Sequence, residues 1–295
     1  MESTKSILSR IRKLELRTRR LVNESFAGSY HSVFKGRGMN FDEVRQYQAG
    51  DEIRSIDWNV TARTGEPYIK KFTEERELTV MLVVDVSASG VFGSVENSKR
   101  DLSAEVASVL AFSAIRNNDK VGLLLFSEGV ELFIPPKKGR THTLRLIREI
   151  LFFEPKQRGT DPRVALNYLN RVLTRRAVVF LLSDFQTESF ERELSVTSQR
   201  HDLIALAVVD PREEELPDIG RVTLEDAETG EQIEVNTSDR RVREAFHSNA
   251  TQVWRDWQDI FRGKKIDSIR LRTDKDYLPA LRQFFKTRER RAGFR

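Results

Sequence analysis

Four short apolar runs constrain this chain more than anything else in it: residues 79–84, 121–126, 177–182 and 203–209. Each is rich in Val, Ile or Leu and apolar at nearly every position, the pattern of a strand buried on both faces. Helical periodicity separates them. Residues 98–116 place Leu102, Val106, Val109, Leu110 and Ser113 on one stripe, and 141–152 and 162–174 also fit helices. Strands alternating with helices predict an α/β fold with a mostly parallel central sheet flanked by helices. Residues 130–134 form a further strand beside 121–126, which the Pro135-Pro136 pair brings to an end.

The flanks read differently. Residues 5–23 fit an amphipathic helix with Ile7, Leu8, Ile11, Leu14, Leu21 and Val22 on its apolar side, followed by a Gly- and Ser-rich stretch with single aromatics and a half-exposed strand at 68–72. Beyond Pro211, residues 221–225 and 232–235 flank Glu228-Thr229-Gly230 as a hairpin. A long helix at 239–261, a strand at 266–271 and a helix at 276–287 capped by Asp274 complete the chain. The organisation expected is an accessory region over 1–75 and an α/β domain over 76–295, with the hairpin as an insertion near 219–236.

With 295 residues a sizeable core can be buried, and the absence of cysteine removes disulfides, thiolate zinc sites and cysteine nucleophiles. The N-terminus opens on a charged amphipathic segment, and no apolar run approaches the ~20 residues of a membrane span. The expectation is a cytoplasmic protein. Fifty basic residues oppose 45 acidic ones, and the basic excess gathers at the two ends, which reads as solvated helix faces. No nucleic-acid module accompanies these residues, so no specific nucleic-acid partner is expected.

The chemistry concentrates where the strands end. The run at 79–84 passes directly into Asp85-Val86-Ser87-Ala88-Ser89, the loop Arg158-Gly159-Thr160-Asp161 precedes a helix, and the run at 177–182 ends in Ser183-Asp184. In an open parallel sheet, ligands bind at the carboxyl ends of strands. Asp85, Ser87, Ser89, Thr160 and Asp184 offer two carboxylates and three hydroxyls with no His or Cys. That hard-oxygen set suits Mg²⁺, with Mn²⁺ also admissible. Taken alone, Asp-X-Ser-X-Ser serves equally well as a helix cap; the matching second and third segments shift the reading to a metal site.

These three segments, in this order, resemble the metal-ion-dependent adhesion site of von Willebrand factor A domains. Upstream, Arg45-Gln46-Tyr47-Gln48-Ala49-Gly50-Asp51, Arg54-Ser55-Ile56-Asp57-Trp58 and Thr61-Ala62-Arg63, with Phe72 and Glu75, resemble the signature of a bacterial family of unknown function associated with MoxR-type AAA+ ATPases. The resemblance covers about residues 35–210. It implies a Rossmann-like A-type fold, with Ser87, Ser89 and Thr160 binding the ion directly and Asp85 and Asp184 mainly through water. It also implies a role in a chaperone-like complex with the ATPase. The residues themselves add two expectations: the oxygen-only set leaves a coordination position that an acidic side chain of a client protein would fill, and with no nucleophile or base aimed at it the chain is expected to act without catalysis, as an adaptor or co-chaperone.

Other readings are weaker. A haloacid-dehalogenase-type site wants a second Asp where Ser87 stands, a nucleophile elbow wants glycines flanking the Ser, and there is no P-loop or Gly-X-Gly-X-X-Gly after a strand. His31, His142, His201 and His247 have no metalloprotease spacing. The alternatives kept are a Mg²⁺- or Mn²⁺-dependent hydrolase and a scaffold that binds no metal. Arg45, Tyr47, Asp51, Arg54, Asp57 and Trp58 are expected to form a polar network holding the N-terminal region to the sheet, with a partner-binding surface as the alternative, and Trp254 and Trp257 to pack the long helix.

Overall fold

The computed structural model describes residues 4–22, 30, 33–34, 40–73, 77–95 and 97–293. In chain order the elements are α1 (Thr4–Leu21), β1 (Asn40–Gln46), α2 (Trp58–Thr64), β2 (Tyr68–Thr73), β3 (Thr79–Asp85), α3 (Lys99–Arg116), β4 (Lys120–Phe126), β5 (Val130–Lys137), α4 (Arg140–Phe152) and α5 (Pro162–Val172). There follow β6 (Val178–Ser183), α6 (Glu191–Arg200), β7 (Asp202–Val209), β8 (Arg221–Glu225), β9 (Gln232–Asn236), α7 (Arg240–Gly263), β10 (Asp267–Arg272) and α8 (Leu278–Gly293).

Six strands make the central sheet in the order β10-β7-β6-β3-β4-β5. Every neighbouring pair is parallel except β4 and β5. The period of two divides β3 between two cores. Val80, Leu82 and Val84 face a layer of α1, α3, α4 and α8, while Met81 and Val83 face α5, α6 and α7. Each of these side chains is lost to water, at roughly 1.5–3 kcal/mol apiece. From β3 the chain winds one way into β4 and β5 and the other way into β6, β7 and β10, so the crevice at the carboxyl ends of β3 and β6 is a topological switch point.

Helix α3 is enclosed almost all round. A capping box of Ser98 and Asp101 starts it, Ala104, Ala107 and Ala111 allow close approach, and α1 lies across it through Ile11 and Leu14. Arg17 of α1 pairs with Glu105 at 3.2 Å and Arg10 with Asp101. At the other end Arg288 reaches Asp202 at 2.7 Å and stacks over Phe34. The terminal basic residues are thus partly spent inside the fold. Tyr30 and Phe34, single aromatics in an otherwise patternless stretch, are buried against Phe285.

Three local expectations are corrected. Strand β5 runs through Pro135 and Pro136 because it is the sheet's edge, where a missing N–H costs no ladder bond. The cap of α8 is Asp276, whose carboxylate accepts from the Leu278 N–H at 3.0 Å, while Asp274 holds Arg272. Helix α6 adds a crossover between β6 and β7 that the periodicity had not revealed. The boundary drawn between 75 and 76, and Glu75 itself, lie outside the described residues.

Candidate functional site at the switch point

Strand β3 delivers Asp85 to the crevice, and the backbone folds back on it at once: Asp85 Oδ1 accepts from the Ser87 N–H at 2.9 Å. Its other oxygen accepts from the Ser183 hydroxyl on β6 at 2.9 Å, so the ends of two adjacent strands are tied through one carboxylate. Ser87 is wholly buried and its Oγ lies 3.0 Å from Ser89 Oγ; Ser89 in turn donates to Asp184 Oδ2 at 2.9 Å. A continuous line of hydroxyls therefore joins the two carboxylates.

Asp184 is aimed by the residue after it. Phe185 takes φ of 58°, a left-handed conformation that a bulky side chain seldom adopts. Its surroundings hold it there: the N–H reaches Ser183 Oγ at 3.2 Å, the carbonyl accepts from the Trp257 indole at 2.8 Å, and the ring packs on Phe190, Trp257 and Phe261. Trp257 is thus packing, as expected, and Trp254 lies under the Arg270 guanidinium.

The Thr160 loop joins through its backbone. The Ala88 N–H donates to the Arg158 carbonyl at 2.9 Å, between the two serines, and Asp161 N–H reaches the Ser127 carbonyl at 2.8 Å. Gly159 lies so close to Glu128 that a Cβ would meet its carboxylate at 2.6 Å. Asp161 then caps α5. Thr160 Oγ1 donates to Glu228 Oε1, 2.6 Å away on the β8–β9 turn.

Three charged residues at the site escaped the sequence reading. Lys99, 3% exposed at the start of α3, donates to Asp184 Oδ2 at 2.7 Å and also to Glu213. A lysine in a helix's first turn stands at the unfavourable end of the dipole, and that was the available signal. Glu213 closes a capping box with Asp210 after β7, and Glu228 comes from the hairpin; neither belongs to a motif.

Burial, reinforced by the Asp184 charge, pushes Asp85 up to about 7 despite its hydrogen bonds. Burial alone would raise Asp184 too, but Lys99 holds it below the ordinary carboxylate range. Burial raises both Glu213 and Glu228. Among the described residues the crevice therefore gathers four acidic side chains, with Lys99 between Asp184 and Glu213 and Arg100, which donates to the Val86 carbonyl at 3.0 Å, near Asp85.

Two of the hydroxyl donors have the spacing that a small hard cation asks of neighbouring ligands. An octahedral ion with oxygens about 2.1 Å away keeps neighbouring ligands about 3 Å apart, the spacing of the Ser87 and Ser89 hydroxyls. Among the described residues no group of three or more His, Cys, Asp and Glu side chains is placed to hold a metal, so an ion here would depend on hydroxyl oxygens.

The upstream residues sit apart in sequence and in role. Arg45 and Asp51 form a bidentate pair at 2.9 and 2.7 Å, and Asp51 also accepts from the Gln48 N–H. Asp57 caps α2 through the Asn59 and Val60 N–H groups. The Tyr47 N–H reaches the Pro67 carbonyl at 2.8 Å. Arg54 and Arg63 are exposed, and so is Trp58, at 66%. The pairs seen here brace the β1–β2 ribbon and its connection.

The family model described as "Protein of unknown function DUF58" matches residues 43–255. An uncharacterized protein of Mycobacterium tuberculosis is 34% identical over 285 residues, covering 96% of this chain and 90% of its own length. Bacillus subtilis YeaD is 24% identical over 145 residues, 49% of this chain and 34% of that one. Among solved structures, BatB of Bacteroides thetaiotaomicron has a TM-score of 0.49 at 18% identity, covering 72% of this chain and 99% of that one. The SpRpn10 VWA domain has a TM-score of 0.37 at 9% identity, over 69% and 92%. Family model and full-length relatives together place this chain in the DUF58 family of proteins of unknown function.

Proposed function

We propose that the chain is a metal-ion-dependent protein-binding module of the von Willebrand factor A type, without catalytic activity of its own. The observation that carries this reading is the pair of hydroxyls, Ser87 and Ser89, 3.0 Å apart between two carboxylates at the switch point. Ser87, Ser89 and Thr160 would hold Mg²⁺ or Mn²⁺, with Asp85 and Asp184 behind them. The ion would supply a directional bond to an acidic side chain of a client protein.

Beside Asp184 runs an open groove of about 300 Å³ whose walls include Gln186, Glu213, Val253, Trp254 and Trp257. Its apolar side would take the segment flanking that acidic residue. The family resemblance suggests the wider setting: an adaptor or co-chaperone for a MoxR-type AAA+ ATPase, working in the cytoplasm. Among the described residues no helix is long and apolar enough to cross a membrane.

Calorimetry with Mg²⁺ and Mn²⁺, followed by recovery of partners from native lysate with and without chelator, tests the proposal. Ion binding and chelator-sensitive capture of an AAA+ ATPase are expected, and both should be lost in Ser87→Ala/Asp184→Ala. Capture that ignores the chelator, or hydrolysis of phosphate esters by the isolated protein, would overturn it.

A further inference from the structure

The β8–β9 hairpin stands outside the central sheet, and its strands bury little: along Arg221–Glu225 and Gln232–Asn236 exposed residues predominate. Such a hairpin needs something to hold its tip. At the turn, Asp226, Ala227, Thr229 and Gly230 are exposed, whereas Glu228 is half-buried against Thr160. The turn is built to aim it. The Asp226 carboxylate accepts from the N–H groups of Glu228 and Thr229 at 2.9 and 2.7 Å, and the Gly230 N–H closes on the Asp226 carbonyl at 2.8 Å. Gly230, at φ of 75°, supplies the left-handed residue this closure requires.

The contact is electrostatically odd. A fourth carboxylate is brought to a crevice that already holds Asp85, Asp184 and Glu213, where Lys99 is engaged by Asp184 and Glu213 and Arg100 lies near Asp85, and none of the ion pairs among the described residues is made by Glu228. Like charges gathered in a partly dry site repel, unless a cation lies among them.

We propose that Glu228 is an ion ligand supplied in cis, the carboxylate that the chain's own hairpin presents beside Thr160 to the metal held by Ser87, Ser89 and Thr160. The inference rests on the metal-binding reading above and deepens it. The ion's shell is then closed from within, and an acidic side chain of a client has to displace Glu228 before it can bind. Ion and hairpin become coupled: metal orders the hairpin tip, and the hairpin raises metal affinity.

The test compares wild type, Glu228→Gln, Glu228→Ala and, as a control on the same hairpin, Glu231→Gln. Glu228→Gln keeps an oxygen for the Thr160 hydroxyl, so any effect reports the lost charge. Mn²⁺ affinity is measured by calorimetry and hairpin protection by amide hydrogen exchange over residues 221–236, with and without Mg²⁺. Expected are a loss of Mn²⁺ affinity of ~10-fold or more in both Glu228 variants, wild-type affinity in Glu231→Gln, and Mg²⁺-induced slowing of hairpin exchange in wild type that Glu228→Gln lacks. Wild-type affinity in Glu228→Gln, with Ser87→Ala abolishing binding, would overturn this inference and leave the metal site standing. A wild type that binds neither ion would overturn both.

Discussion

Lys99 Nζ donates to Asp184 Oδ2 at 2.7 Å, and with the same ammonium reaches Glu213, so the start of α3 is bolted to the ends of β6 and β7 by one buried cation. Burial alone would lower the lysine's pKa, but the two carboxylates raise it above the ordinary value, so it stays charged. Removing it leaves two buried carboxylates uncompensated, a loss on the order of 3–5 kcal/mol for breaking such a pair. Lys99→Met is therefore expected to lower the thermal midpoint sharply in chelator. Mg²⁺ should restore more of it than it adds to wild type, since the ion takes over part of the neutralisation. Equal Mg²⁺ shifts in both proteins, read by circular dichroism, would separate Lys99 from the ion's site.

Metal should stabilise the wild type in proportion to its binding. A ligand present at about 100 times its Kd adds roughly 2.7 kcal/mol to a fold that binds it. Ser87→Ala and Asp184→Ala each remove a member of the hydroxyl and carboxylate line, and their double variant should show no Mg²⁺-dependent rise in thermal midpoint. A rise of wild-type size in that variant would place the ion elsewhere.

Much of this architecture was legible in the sequence, and the reasons for the failures are local. Consecutive apolar residues mark β3, β4, β6 and β7 because each is buried on both faces, and four of the five site residues, all but Thr160, announce themselves by following such runs. Asp85, Ser87, Ser89 and Asp184 then prove to share one hydrogen-bonded line, with Thr160 held beside it by the Ala88–Arg158 backbone contact. What stayed hidden is set by distance in the chain. Lys99 looks like one more basic residue on a helix, and Glu228 like one more acidic residue in a turn, until the fold brings them against residues 85 and 68 positions away. Helix α6 was hidden for another reason: Leu194 and Thr197 are its buried members, too short a stripe to register as periodicity.

Phe185 couples the aromatic core to the site. Its left-handed backbone and buried ring predict two separable effects of substitution. Phe185→Ala loses the packing on Phe190, Trp257 and Phe261 and should cost about 3–5 kcal/mol in urea unfolding. Mn²⁺ affinity should also fall, because Asp184 is positioned by this residue. A variant that loses stability but binds Mn²⁺ as wild type does would show that Lys99, Ser89 and the Gln186 N–H hold Asp184 without help from Phe185.

The Asp276 cap on α8 offers a sharp local test. Its carboxylate accepts from the Leu278 N–H, so Asp276→Ala should cost about 0.5–2 kcal/mol. Asp276→Asn retains an acceptor and should recover most of that. Equal stability of Asp276→Ala and wild type in urea titration would return the start of this helix to Asp274.

His201 sets a limit at mildly acidic pH. It is 2% exposed, its Nδ1 accepts from the Ala177 N–H at 3.3 Å, and its Nε2 has no partner among the described residues. Burial, helped by the nearby Arg200 and Arg176 charges, pushes it below its ordinary 6.5. The unfolded chain therefore takes up a proton at higher pH than the folded one does. The sign follows: stability from this group is fully present above about 6.5 and is lost as pH falls from there through the depressed folded value, with no further loss once both states are protonated. Asp85, raised to about 7, pulls the other way by adding stability as pH falls, so the His201 contribution is read as a difference between two proteins. Between about pH 8 and about 5 the urea midpoint of wild type should drop relative to that of His201→Gln, which keeps an acceptor for Ala177, and a constant gap between the two over this range would assign the acid sensitivity to other groups.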